Sequence, residues 1–103
     1  MDSKKVQSVI DLFRTHWKGE LGIHAHDNMA MGLSNSLYAL KQGVTWVDST
    51  VTGMGRGAGN VKTELLAIEM SDLRNTKLNI KPLISLATKR FKPLKDKYCW
   101  GTN

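Results

Sequence analysis

His24 and His26 lie two positions apart in the segment Glu20-Leu21-Gly22-Ile23-His24-Ala25-His26. On an extended backbone that spacing puts both imidazoles on one face. Two imidazoles on one face are half of a site for a divalent ion such as Zn²⁺ or Mn²⁺. Taken alone the spacing is common, and a pair of polar histidines at a loop mouth has the same sequence signature. His16 is a useful contrast. It falls at a helix end, where attraction to the helix dipole accounts for it.

A second constellation follows. Gly53, Gly55, Gly57 and Gly59 occupy alternate positions in Gly53-Met54-Gly55-Arg56-Gly57-Ala58-Gly59-Asn60. Glycine admits positive φ and lets a ligand approach the backbone closely. Such density favours a substrate-binding loop over a plain flexible turn. The loop runs through Asn60 into an expected helix, whose first N–H groups suit a carboxylate or phosphate. It is not a phosphate-binding P-loop, because no Gly-Lys-Ser/Thr follows. The glycine spacing also misses the dinucleotide fingerprint. Arg56 is either a carboxylate partner or an ordinary exposed loop arginine.

The elements that must position these residues are readable from periodicity. Val6, Val9, Ile10 and Phe13 recur at helical spacing across residues 3–17, with Ser3 as cap and Gly19 as stop. The histidine segment, 20–26, is extended. Asp27 or Asn28 can cap a second helix to about Gln42, with Met29, Leu33, Leu37 and Leu40 as its apolar positions and Gly43 ending it. Residues 44–51, Val-Thr-Trp-Val-Asp-Ser-Thr-Val, have the β-branched and aromatic content of a strand. A third helix is expected over 61–73, with Leu65, Leu66, Ile68 and Met70 at or near its buried face. A last one is expected over 81–91, with Pro82 in its first turn. Pro93 and the tail to Asn103 show no pattern. Trp17, Trp46 and Trp100 read as packing residues.

Strands alternating with helices imply an α/β architecture with parallel strands. Two parallel strands alone make a poor sheet with bare edges, so the pattern reads as a slice of a larger α/β barrel. Active sites of such barrels lie at the C-terminal ends of the strands, where the two histidines fall.

Composition narrows the classes further. At 103 residues, 41% hydrophobic and 23% charged, the chain has an ordinary globular make-up. No apolar run reaches the roughly 20 residues of a membrane span, and the N-terminus lacks a signal-peptide core. The single cysteine, Cys99, forms no internal disulfide, and the expected location is the cytoplasm. A net charge of +6 raises nucleic acid as a partner. However, Lys89, Arg90, Lys92, Lys95 and Lys97 concentrate it near one end, and no aromatic–basic platform accompanies them. Neither nucleic acid nor a membrane is expected as a partner.

Two stretches together carry a resemblance. Gly22-Ile23-His24-Ala25-His26-Asp27-Asn28, followed by Gly32-Leu33-Ser34-Asn35-Ser36, resembles the metal-site strand of a family of TIM barrels. That family includes 4-hydroxy-2-oxovalerate aldolase, 3-hydroxy-3-methylglutaryl-CoA lyase and 2-isopropylmalate synthase. The stretch from Val47 to Asn60 resembles the same family's last barrel strand and its glycine-rich loop. The resemblance covers about residues 22–64.

The resemblance implies the last two strands of a (β/α)₈ barrel with their helices, plus a C-terminal helix. Residues 1–75 would be the last part of the catalytic domain, and 76–103 a helix and tail leading towards a further region. It implies His24 and His26 as ligands of a divalent metal ion (Mn²⁺, Mg²⁺ or Zn²⁺) and Asn60 as a third contact. The implied reaction cleaves a small 4-hydroxy-2-oxo acid into pyruvate and an aldehyde. The family's further aspartate ligand and neighbouring arginine, on the first strand, have no counterpart here, so the isolated chain is expected to be inactive. Asp27 stands where these aldolases commonly have histidine, which leaves the substrate open. Gly53-Met54-Gly55 favours the aldolase branch over the acyl-CoA condensing branch, which is the alternative. The chain is expected to be a fragment from a truncated reading frame. A second alternative is a non-catalytic module that completes a barrel with a partner chain or in an oligomer.

Overall fold

The computed structural model describes residues 1–101; Thr102 and Asn103, the end of the expected tail, lie outside that range. The order is α1 (Ser3–His16), β1 (Gly22–Ile23), α2 (Gly32–Lys41), β2 (Trp46–Val47), α3 (Thr63–Leu73), α4 (Lys81–Leu86) and α5 (Lys92–Tyr98). Short 3-10 turns at Asn28–Ala30 and Val51–Gly53 precede α2 and α3, and a π turn at Ala87–Phe91 joins α4 to α5. The alternation of helix and strand is the expected one. Among the described residues, no helix is long and apolar enough to cross a membrane.

β1 and β2 pair in parallel, Gly22 opposite Trp46 and Ile23 opposite Val47. Both strands are much shorter than the extended segments 20–26 and 44–51. A ladder exists only where a neighbouring backbone supplies partners. Thr45 and Trp46 both donate to the Leu21 carbonyl and Asp48 donates to Ile23, but Thr50 already donates to Val61 in the next loop.

The core lies on one face of this sheet. Val6 and Ile10 of α1 are buried with Ala39 and Val44, and Leu21, Ile23 and Tyr38 pack against them. The cap of α1 is Asp2 rather than Ser3: its carboxylate accepts from the Lys5 N–H at 3.0 Å. On α2 the buried residues are Gly32, Asn35, Ser36 and Ala39, not the expected Met29 and leucines. Small side chains let α1 and α2 approach, and two polar links follow. Asn35 Nδ2 donates to the Met1 carbonyl at 2.9 Å, and the Tyr38 hydroxyl donates to Gln7 Oε1 at 2.8 Å. Met29 is 88% exposed.

Gly22 and His24 from the first segment alternate with the core positions Leu21 and Ile23, Trp46 and Asp48 flank Val47 in the second, and all four are exposed. Trp46 and Trp17 are exposed, so of the three tryptophans read as packing residues only Trp100 is buried. Trp46 Nε1 and Trp17 Nε1 both find acceptors on Glu20. On α3 only Leu66 is buried; Leu65 and Ile68 are exposed.

Residues Lys92–Tyr98 are helical, where the sequence shows no pattern. Pro93 sits in the first turn of α5, where its missing N–H is harmless. The preceding π turn makes room for the ring, with Lys92 N–H reaching the Ala87 carbonyl five residues back. Cys99, at φ 55°, ends the helix, and Trp100 then folds onto the glycine-rich loop.

Candidate metal centre

His24 and His26 follow β1, and both are exposed. Their rings meet edge to face with centroids 5.2 Å apart. They share a cleft of about 230 Å³ with Asn28, Asn35, Ala25 and Met1. The two imidazoles therefore lie side by side at the end of β1.

Asn60 joins them through the backbone. An isolated antiparallel bridge pairs His26 with Asn60, and Asp27 N–H donates to the Gly59 carbonyl at 2.8 Å. The Asn60 carboxamide donates from Nδ2 to the Met54 carbonyl at 3.0 Å. Its Oδ1 is buried and has no hydrogen-bond partner. A buried carbonyl oxygen without a donor is costly to leave so. Imidazole nitrogens and an amide oxygen are donor types that suit a divalent cation. Among the described residues, no three His, Cys, Asp or Glu side chains converge on one point.

His24 has a partner that the sequence reading missed. Its Nδ1 lies 3.2 Å from Asp48 Oδ2, across the β1–β2 pairing. Register is the signal that finds it. With Ile23 opposite Val47, the next residues on each strand are His24 and Asp48, on the same face.

Gly53, Gly55, Gly57 and Gly59 serve mainly the loop itself. Gly53 (φ 73°) and Gly59 (φ 80°) are buried against each other, and Asn60 N–H donates to the Gly53 carbonyl at 3.0 Å. A Cβ on Gly55 would lie 2.6 Å from Asn60 Nδ2; on Gly57 it would meet open space. The glycines therefore hold Asn60 in place, and three of the four are closed off by chain contacts.

The helix after the loop begins at Thr63, three residues beyond Asn60, rather than at Val61. Its start is already engaged. Thr63 N–H donates to the Thr50 carbonyl, and the Glu64 carboxylate turns back to accept from Thr52 N–H at 2.9 and 3.1 Å. Thr52, a non-glycine residue at φ 55°, is held in that conformation by these bonds. Asp27, read as a helix cap, does serve α2: its Oδ1 accepts from the Gly32 N–H at 3.2 Å.

Comparison with known proteins bears on this geometry. The HMGL-like family model matches residues 1–89. The chain is 38% identical over 76 residues, 73% of its length, to 4-hydroxy-2-oxovalerate aldolase 2 of Nocardia farcinica. It is 32% identical over 91 residues, 87% of its length, to 4-hydroxy-2-oxovalerate aldolase of Geobacillus stearothermophilus. It spans 22% and 27% of those relatives' lengths. Among solved structures, all of it superposes on the N-terminal domain of a Bacteroides vulgatus protein designated an aldolase. The TM-score is 0.91 and the identity 39%, and 34% of that chain is covered. An HMG-CoA lyase from Bacillus subtilis matches 94% of the chain, and 34% of that lyase is covered, with a TM-score of 0.73; at 24% identity this likeness carries the fold alone. These neighbours are TIM-barrel domains, and the chain is a mixed helix–strand portion of that architecture.

Proposed function

The chain belongs to the HMGL-like family, and on that footing we propose that it supplies two metal ligands, His24 and His26, to an aldolase barrel. In this reading β1 and β2 are the seventh and eighth barrel strands. The observation that carries it is the meeting of the two exposed imidazoles, centroids 5.2 Å apart. The unpartnered Asn60 Oδ1 next to His26 in the backbone pairing supports a third contact. The relatives' shared name, 4-hydroxy-2-oxovalerate aldolase, supports the substrate class and favours it over acyl-CoA condensation.

The reaction proposed is retro-aldol cleavage of a 4-hydroxy-2-oxo acid. The 4-hydroxyl loses its proton, the C3–C4 bond breaks, an aldehyde departs and the electron pair becomes the enolate of pyruvate, which is protonated at C3. A divalent ion held at this site would supply positive charge beside the 2-oxo oxygen, where the enolate's negative charge develops. The chain's own part is to hold its donors rigidly. β1 fixes His24, the bridge to Asn60 fixes His26, and the packed glycines fix the Asn60 carboxamide.

The test is a chimera in which this chain replaces the matching segment of the Nocardia farcinica aldolase, with pyruvate release as readout. The chimera is expected to release pyruvate, and His24→Ala with His26→Ala is expected to abolish both release and bound metal. The 103-residue chain alone is expected to release none. Full activity of the double variant would overturn the assignment.

A further inference from the structure

We propose that Asp48 is a positioning residue for His24, setting its tautomer so that Nε2 is the nitrogen presented to the cation. The inference rests on the metal reading above and adds a group that reading does not use. Asp48 follows β2 directly, and its N–H donates to the Ile23 carbonyl at 3.0 Å, which locks it level with His24. Its Oδ2 lies 3.2 Å from His24 Nδ1. A carboxylate can only accept, so this hydrogen bond requires the proton on Nδ1. A neutral ring protonated at Nδ1 has its lone pair on Nε2. A carboxylate behind a ligating imidazole also fixes the ring's orientation and raises its basicity.

A stability role explains the pair poorly. The side chains of His24 and Asp48 are 53% and 72% exposed, and pairs so open to water contribute little to folding. Among the described residues, the only polar side-chain contact of His24 is Asp48; His26 meets it ring edge to face. The consequence of the pair therefore falls on the direction and tautomer of one imidazole.

Nitrogen-15 spectra of the histidine side chains in the full 103-residue chain, at alkaline pH, read the tautomer without any metal. Wild type is expected to show His24 protonated at Nδ1. Asp48→Ala is expected to move the proton to Nε2, and Asp48→Asn, whose carbonyl oxygen still accepts, to keep it on Nδ1. Calorimetric titration with Zn²⁺ gives the second readout. Asp48→Ala is expected to weaken zinc binding about 10- to 100-fold, with Asp48→Asn partly restoring it. Zinc binding that needs both histidines but ignores Asp48→Ala, or an unchanged tautomer in that variant, would overturn this inference alone. Zinc binding that ignores the loss of both histidines, or no zinc uptake by wild type, would overturn the metal reading as well.

Discussion

Trp100 donates its indole N–H to the carbonyl of Thr52 across 3.3 Å, joining the end of the helical tail to the first turn of the glycine-rich loop. Gly101 N–H adds a second link, to the Gly57 carbonyl at 3.0 Å. The tail therefore clamps the loop that holds Asn60. Trp100→Ala removes a side chain that is only 9% exposed and is expected to cost about 3 kcal/mol or more. Trp100→Phe keeps most of the apolar surface and loses the hydrogen bond, about 1 kcal/mol. Urea unfolding of the two variants checks this; equal midpoints would show that the indole N–H contributes most of the effect.

Gly55→Ala separates the site from the fold. The new Cβ would lie 2.6 Å from Asn60 Nδ2, so the carboxamide must move and its bond to the Met54 carbonyl breaks. What moves is the end of one side chain, and stability is expected to change by less than about 1.5 kcal/mol. Zinc affinity is expected to fall about tenfold as Asn60 Oδ1 is displaced. Gly57→Ala is the control. Its Cβ meets open space, so only the φ of 60° is strained, at about 1–2 kcal/mol, and zinc affinity should hold. If Gly55→Ala binds zinc like wild type, Asn60 is not a ligand.

Ser36 gives a prediction of opposite sign. It is fully buried on α2, and its hydroxyl oxygen has no hydrogen-bond partner. Burying an unpaired hydroxyl costs free energy, and alanine is also the better helix former. Ser36→Ala is expected to raise stability by about 0.5–1.5 kcal/mol, read as a higher unfolding midpoint in urea. A loss of more than about 1 kcal/mol would mean that the hydroxyl has a partner.

The order of elements and the pairing of His24 with His26 were legible because both follow from local periodicity. The lengths of the strands were not. Residues 44–51 have strand chemistry throughout, but only Trp46–Val47 meets a parallel neighbour, and ladder partners are a tertiary property. The buried face of α2 was misread for a related reason. Helical spacing points to Met29 and the leucines, whereas α2 buries Ala39 against Val6 and Ile10 of α1 and Gly32 against His26, Asp27 and Val61. Asp48 escaped notice because a single aspartate on a strand has no pattern; only the register brings it to His24. The glycine spacing is legible, but the tight contacts that Gly53, Gly55 and Gly59 make within the loop are not, because they depend on how the loop folds on itself.

Pro93 and the residues after it show no pattern in the sequence, yet α5 runs on to Tyr98 behind a π turn. That turn takes one more residue than an α turn, so it rotates all that follows by about 100°. Either the proline imposes the turn, or docking of Trp100 holds it. Pro93→Ala restores an N–H that could bond the Lys89 carbonyl and straighten the helix. The full helical preference for alanine over proline is about 3 kcal/mol, but at a first-turn position most of it is not realised. Undocking Trp100 costs about 3–5 kcal/mol, so docking should win. The variant is expected to keep the Trp100 indole shift and the slow exchange of the Gly101 amide, with stability within about 1 kcal/mol of wild type. Loss of both signals alongside a gain in helix content would show that the proline, and not the tryptophan, sets the direction of the tail.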